Sequence, residues 1–86
     1  MMIKKLVSIG LPTYNRAKDL PRALDLLLAQ DYRDIEIIVS DNCSTDDTQK
    51  ICEKYVKQDP RIRYIRQPEN IGQQLNFRFV INEAKG

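Results

Sequence analysis

The chain has 86 residues, of which 42% are hydrophobic and 30% charged. Its apolar positions are clustered and periodic, which excludes a disordered segment, and at this length roughly 60–65% of the unfolded surface can be buried. Fourteen Lys+Arg against twelve Asp+Glu leave a formal charge of +2, scattered along the chain, which gives no reason to expect nucleic acid or an anionic membrane as partner.

Leu6 to Leu11 is short, partly β-branched and followed by Pro12, so it reads as a buried strand stopped by the proline. Asp19 is a good N-cap and Pro21 fits a first helical turn. Leu20, Ala23, Leu24, Leu27 and Leu28 recur at helical spacing, which predicts an amphipathic helix from Leu20 to about Ala29. Ile35 to Ser40 is a second strand whose β-branched run expects cover on both faces, as in a parallel sheet. Ser44-Thr45-Asp46-Asp47 has capping-box form, with Ser44 as the cap. The helix after it places Thr48, Ile51, Cys52, Tyr55 and Val56 on one face and closes at Asp59-Pro60. Ile62 to Arg66 alternates and reads as a third, less buried strand. Gln67 to Gly72 is a loop, and Leu75 to Ala84 reads as a last helix, although Phe77, Phe79 and Val80 suit a strand almost as well. The order β-α-β-α-β-α implies parallel strands joined by right-handed crossovers.

Two cysteines and no histidine leave no disulfide framework, no zinc site and no Cys/His catalytic pair. A reducing, cytoplasmic compartment is the expectation. Met1 to Gly10 has two lysines and no long apolar core, unlike a signal peptide. No apolar run approaches the ~18 residues of a transmembrane helix.

The chemistry concentrates where strands end. Val39-Ser40-Asp41-Asn42-Cys43-Ser44-Thr45-Asp46 passes from an apolar run into small, polar, turn-forming residues. Ligands of open α/β sheets bind at such C-terminal strand edges, and a carboxylate there can hydrogen-bond a nucleotide base or sugar. Pro12-Thr13-Tyr14-Asn15-Arg16 follows the first strand in the same way, so the two loops are expected to share one pocket. Asp46 and Asp47 suit a helix N-terminus and argue against a diphosphate at that helix start. Arg61, Arg63 and Arg66 read as a solvated strand edge, and Cys52 as core. The three glycines cannot form Gly-x-Gly-x-x-Gly, which excludes a dinucleotide fingerprint, and a P-loop fails for the same reason.

These three segments, Val7 to Asn15, Asp41 to Asp46, and Pro68-Glu69-Asn70-Ile71-Gly72, resemble the opening of an inverting, family 2 type glycosyltransferase of the GT-A fold. The resemblance implies a Rossmann-like nucleotide-binding half with a three-stranded, mostly parallel sheet. It implies that Pro12, Thr13, Tyr14 and Asn15 lie along base and ribose, and that Asp41, next to Asn42, accepts the ring N–H of uracil or a similar base. It places Asn70, Gly72 and Asn76 on the far side of the pocket. Residues 1–86 then form the nucleotide-sugar-binding part of such a domain, cut off before the metal-binding Asp-x-Asp motif. No catalytic and no metal-binding residue is expected in the chain, which by itself should be inactive.

In the whole enzyme a divalent metal, Mn or Mg, would neutralise the diphosphate leaving group, and a later carboxylate would deprotonate the acceptor. The implied partner is a nucleotide-sugar donor, UDP-linked, in cell-envelope polysaccharide synthesis. The implied place is the cytoplasm, with contact to the membrane face through parts outside this chain. Many family members carry an arginine after the Asn-x-Gly loop; here Gln73-Gln74-Leu75-Asn76 stands instead, with Arg78 as a stand-in. The competing reading is a non-catalytic nucleotide-binding or self-assembling module. Self-association is expected from unpaired sheet edges and from Phe77, Phe79 and Val80.

Overall fold

A computed structural model describes residues 6–85; Met1 to Lys5, the greater part of the segment read as unlike a signal peptide, lie outside the described residues, as does Gly86. The elements are β1 (Val7–Thr13), α1 (Leu20–Leu28), β2 (Ile35–Asp41), α2 (Thr48–Gln58), β3 (Ile62–Arg66) and α3 (Gln73–Glu83). The three strands form one parallel sheet in the order β1-β2-β3. Register pairs Thr13 with Asp41 and Asp41 with Arg66, so all three strands end at the same edge.

β2 is central, and all seven of its residues are buried. Strand residues alternate between faces, and the two faces carry different chemistry. The odd-numbered residues Ile35, Ile37 and Val39 form the main core with Leu20 and Leu24 of α1, Cys52 of α2 and Ile62. Each large aliphatic side chain buried there contributes about 1.5–3 kcal/mol. Tyr55 joins the two helices by donating its hydroxyl to Asp25 Oδ1 at 2.7 Å and to the Pro21 carbonyl at 3.3 Å.

The opposite face is covered by α3. Its sheet-facing positions are Asn76, Val80 and Glu83, which hold on to Ser40, Gly10 and Arg63. Gly10 is what allows this approach, because a methyl group at that position would overlap a γ-carbon of Val80. Both edge strands are less buried than β2: β3 has one buried residue, Ile62, and β1, expected to be buried, has only Thr13 buried, because each has a partner strand on one side alone among the described residues.

Three further local expectations are revised, and the N-cap expected at Asp19 is kept. Pro12 does not stop β1, which runs on to Thr13. The Val7 N–H donates to Asp34 and the Asn42 N–H to Thr13, so odd positions of β1 face β2 and Pro12 falls on the outward parity. There its missing N–H breaks no ladder bond. Ser44 does not cap α2: the N-cap is Asp47, and Asp46 Oδ1 instead accepts from the Thr48 N–H at 3.0 Å and the Thr48 hydroxyl. Asp19 occupies the N-cap of α1 without a side-chain hydrogen bond. The last helix starts at Gln73, two residues earlier than expected, directly after Gly72 with its φ of +86°.

Candidate functional site

Three loops leave the common strand edge: residues 14–19, 42–47 and 67–72. Side-chain hydrogen bonds fix them to one another. Asn15, with φ +50°, donates its N–H to Ser44 Oγ at 2.8 Å and accepts the Thr45 N–H on Oδ1 at 2.8 Å. Asparagine tolerates this left-handed backbone better than most residues. The Ala17 N–H donates to Asp46 Oδ2 at 3.1 Å, a second tie between the same loops. The Thr48 hydroxyl bond is the main reason the Asp46 carboxyl lies below the usual range.

Asn42 performs the same task toward the third loop. Its Nδ2 donates to Asn70 Oδ1 at 2.9 Å and its Oδ1 accepts the Ile71 N–H at 2.8 Å. Asn70 Oδ1 also accepts the Gly72 N–H at 2.8 Å, which shapes the turn into α3. Asn76 then ties α3 to the sheet: its Nδ2 donates to the Ser40 carbonyl at 2.9 Å and its Oδ1 accepts the Ser40 hydroxyl at 2.5 Å. Gln67 Nε2 donates to the same Ser40 Oγ at 3.1 Å. A buried polar network of this kind rigidifies the site only when every member is satisfied, and among the described residues no buried side-chain polar atom lacks a partner.

Asp41 sits beneath the loops, fully buried. Its Oδ1 accepts the Ser44 N–H at 2.9 Å and the Ser44 hydroxyl at 2.5 Å; its Oδ2 accepts the Tyr64 hydroxyl at 2.5 Å. Burial and the Asp41 carboxylate push the Tyr64 phenol well above its ordinary value. Burial likewise pushes the Cys52 thiol up to about 12, with Asp41 and Glu53 adding to it.

A cleft of about 430 Å³ opens between these loops and α3. Pro12, Thr13 and Tyr14 at the end of β1, Asn42 and Asn70 of the two later loops, and Asn76 of α3 line it. All six were expected in the site. Asn15, Asp41 and Gly72, expected with them, do not line the cleft. Asn15 spends its side chain on a loop-to-loop bond, Asp41 on Ser44 and on Tyr64 of β3, and Gly72 supplies the positive φ that starts α3.

Three further residues line it: Arg16, Gln73 and Phe77. Gln73, Asn76 and Phe77 share a helical face at i, i+3 and i+4, a signal that needs α3 to begin at Gln73. Arg78 is exposed and does not line the cleft. The arginines of β3 and the one just before it are engaged elsewhere: Arg61 with Asp59, Arg63 with Glu83, and Arg66 with the Ser44 carbonyl and Cys43 Sγ.

Among the described residues no carboxylate lines the cleft. Among the described residues no three His, Cys, Asp or Glu side chains converge, so they do not fit a divalent cation. No helix among them is long and apolar enough to cross a membrane.

A parallel sheet covered by helices on both faces, with a polar cleft at its C-terminal edge, defines a Rossmann-like ligand-binding α/β unit. The chain belongs to glycosyl transferase family 2, whose family model matches residues 8–86. It is 36% identical over 98% of its length to the glycosyltransferase GlyG of Streptococcus pneumoniae, and covers 28% of that protein. It is 37% identical to a Campylobacter jejuni protein named GalNAc(5)-diNAcBac-PP-undecaprenol beta-1,3-glucosyltransferase, over 93% of this chain and 26% of that one. Among solved structures it resembles the mannosyltransferase PcManGT from Pyrobaculum calidifontis, in complex with GDP-Man and Mn²⁺, with a TM-score of 0.85 and 27% identity over 93% of this chain and 24% of that chain. The chain thus spans about a quarter of the length of these relatives, and its fold is the GT-A type expected from the sequence.

Proposed function

We propose that this chain forms the nucleotide-binding part of the donor site of a glycosyltransferase, which passes a sugar from a UDP-linked donor to an acceptor hydroxyl with inversion. The observation that carries the reading is the strand-end cleft, where an exposed Tyr14 and Phe77 face amide side chains held rigid by the loop latches. An aromatic face suits a base or ribose, and fixed amides suit their hydrogen-bonding edges. The volume of about 430 Å³ is within the range of small-ligand sites. The solved relative in complex with GDP-Man supports a nucleotide-sugar ligand. The undecaprenol-linked saccharide in the name of the Campylobacter relative supports a place in cell-envelope polysaccharide assembly.

Asp41 enters this reading as the acceptor for the base. Its Oδ2 holds the Tyr64 hydroxyl, so a ring N–H must displace that hydroxyl to reach it. The divalent metal and the acceptor's base belong to parts of the enzyme beyond these residues. On this reading the chain alone binds the donor nucleotide and transfers no sugar.

Titration of the chain with UDP and GDP, followed by NMR shifts, tests the proposal. Saturable UDP binding, tighter than GDP and weakened about tenfold or more in Tyr14→Ala, supports it. Tyr14 is exposed and makes no latch bond, so the variant should fold. Absence of saturable binding to either nucleotide, or equal affinity in Tyr14→Ala, would overturn the nucleotide site. Tighter GDP binding would overturn the uridine assignment.

A further inference from the structure

We propose that Arg16 is the residue of this chain that holds the diphosphate of the donor; the inference rests on the nucleotide reading above. Among the described residues Arg16 is the one cation lining the cleft. It lines the cleft together with Tyr14 of its own loop and with Gln73 and Phe77 of α3. The two carboxylates of the neighbouring loops, Asp41 and Asp46, are not among the cleft's lining residues and are held by protein donors. Asp41 is buried against Ser44 and Tyr64, and Asp46 is held by the Ala17 and Thr48 amides. An anion entering the cleft therefore meets a positive side chain and no lining carboxylate.

The backbone of Arg16 is fixed while its side chain is free to serve. Its carbonyl accepts the Asp19 N–H at 3.1 Å and the Leu20 N–H at 2.9 Å, and the neighbouring Asn15 is latched to the second loop. The side chain is exposed, and among the described residues it has no ion-pair partner. Arg61, Arg63 and Arg66, by contrast, each already have an acceptor. A planar guanidinium on a fixed stem can donate two parallel hydrogen bonds to phosphate oxygens, which an ammonium cannot. Arg78, the cation nearest the cleft along α3, lies off the lining face, because two residues of helix turn it about 200° from Asn76.

The prediction is a difference between two ligands. UDP carries the diphosphate and uridine does not. Titrations of the chain with both, in wild type, Arg16→Gln, Arg16→Lys and Arg78→Gln, separate the charge contact from the base contact. The expected result is a loss of UDP affinity of about tenfold or more in Arg16→Gln, with uridine changed less than twofold. Arg16→Lys should recover part of the loss, and Arg78→Gln should match wild type. The inference is overturned if Arg16→Gln weakens UDP and uridine alike, leaves UDP unchanged, or is matched by Arg78→Gln. It falls alone if wild type binds uridine as tightly as UDP. If wild type binds neither ligand, it falls together with the nucleotide site.

Discussion

The Tyr64 hydroxyl and the Asp41 carboxylate meet at 2.5 Å, joining the end of β2 to the middle of β3 directly beneath the cleft. Asp41 is fully buried, and Ser44 occupies its other oxygen. The pair therefore couples the stability of the sheet edge to the shape of the loops above it. Tyr64→Phe leaves Asp41 Oδ2 without its partner and should destabilise the chain by about 1–2 kcal/mol. Asp41→Ala strands the Tyr64 hydroxyl and the Ser44 donors, and should cost about 3 kcal/mol. Urea unfolding of both variants and the double mutant measures this, with a coupling of about 0.5–3 kcal/mol expected.

The same pair bears on ligand binding. With the phenol gone, a base N–H no longer competes for Asp41. Tyr64→Phe should then bind UDP more tightly than wild type, and Asp41→Asn more weakly. Unchanged UDP affinity in both variants, measured by titration, would remove Asp41 from the base contact.

Stability should fall at alkaline pH. Cys52 and Tyr64 both have folded values raised above their ordinary 9.0 and 10.0. A group with a raised folded value contributes fully below its unfolded value, and the contribution is lost as pH rises from there toward the folded one. For Cys52 that window runs from 9.0 to about 12. Urea midpoints across pH 8 to about 12 should decline from about pH 9, and Tyr64→Phe should decline less steeply above pH 10. A flat profile would contradict the burial of these two groups.

Gly10 and Val80 set the distance of α3 from the sheet. Gly10→Ala should destabilise by about 1–3 kcal/mol, because a β-carbon there overlaps Val80. Val80→Ala in the same molecule should relieve part of that cost. If the double mutant instead shows the two losses added, the close approach is not the cause.

Self-association is the remaining expectation. Among the described residues β1 has a neighbouring strand on one side only. Of the three residues expected in the apolar patch only Phe77 is exposed; Val80 is buried against Gly10 and Phe79 is half-buried, and the exposed apolar residues of α3 are Leu75, Phe77 and Ile81. Unpaired strand edges and apolar patches favour association. Sedimentation over a concentration series should show mass rising with concentration, and Ile81→Lys should reduce the rise. A monomer at every concentration would refute it.

The element order, the parallel sheet and the two-faced burial of β2 were legible in the sequence, because hydrophobic periodicity and β-branched runs are local signals. The strand-end positions of Thr13, Tyr14 and Asn42 followed from that order, while Asn70 and Asn76 were expected at the cleft only through the family resemblance. What the loops do with their side chains was decided only in three dimensions. Ser44 reads locally as a helix cap, yet Asp41 and Asn15, three and twenty-nine residues away, claim its hydroxyl and leave capping to Asp46. Asp41 reads as an open ligand carboxylate, yet Tyr64 on the next strand folds over it. Pro12 reads as a strand stop, yet the parity of β1 turns its ring to the outward edge. A buried polar group takes whichever partner the tertiary fold brings within about 3 Å, and contacts between residues distant along the chain leave no periodicity in the sequence to announce them.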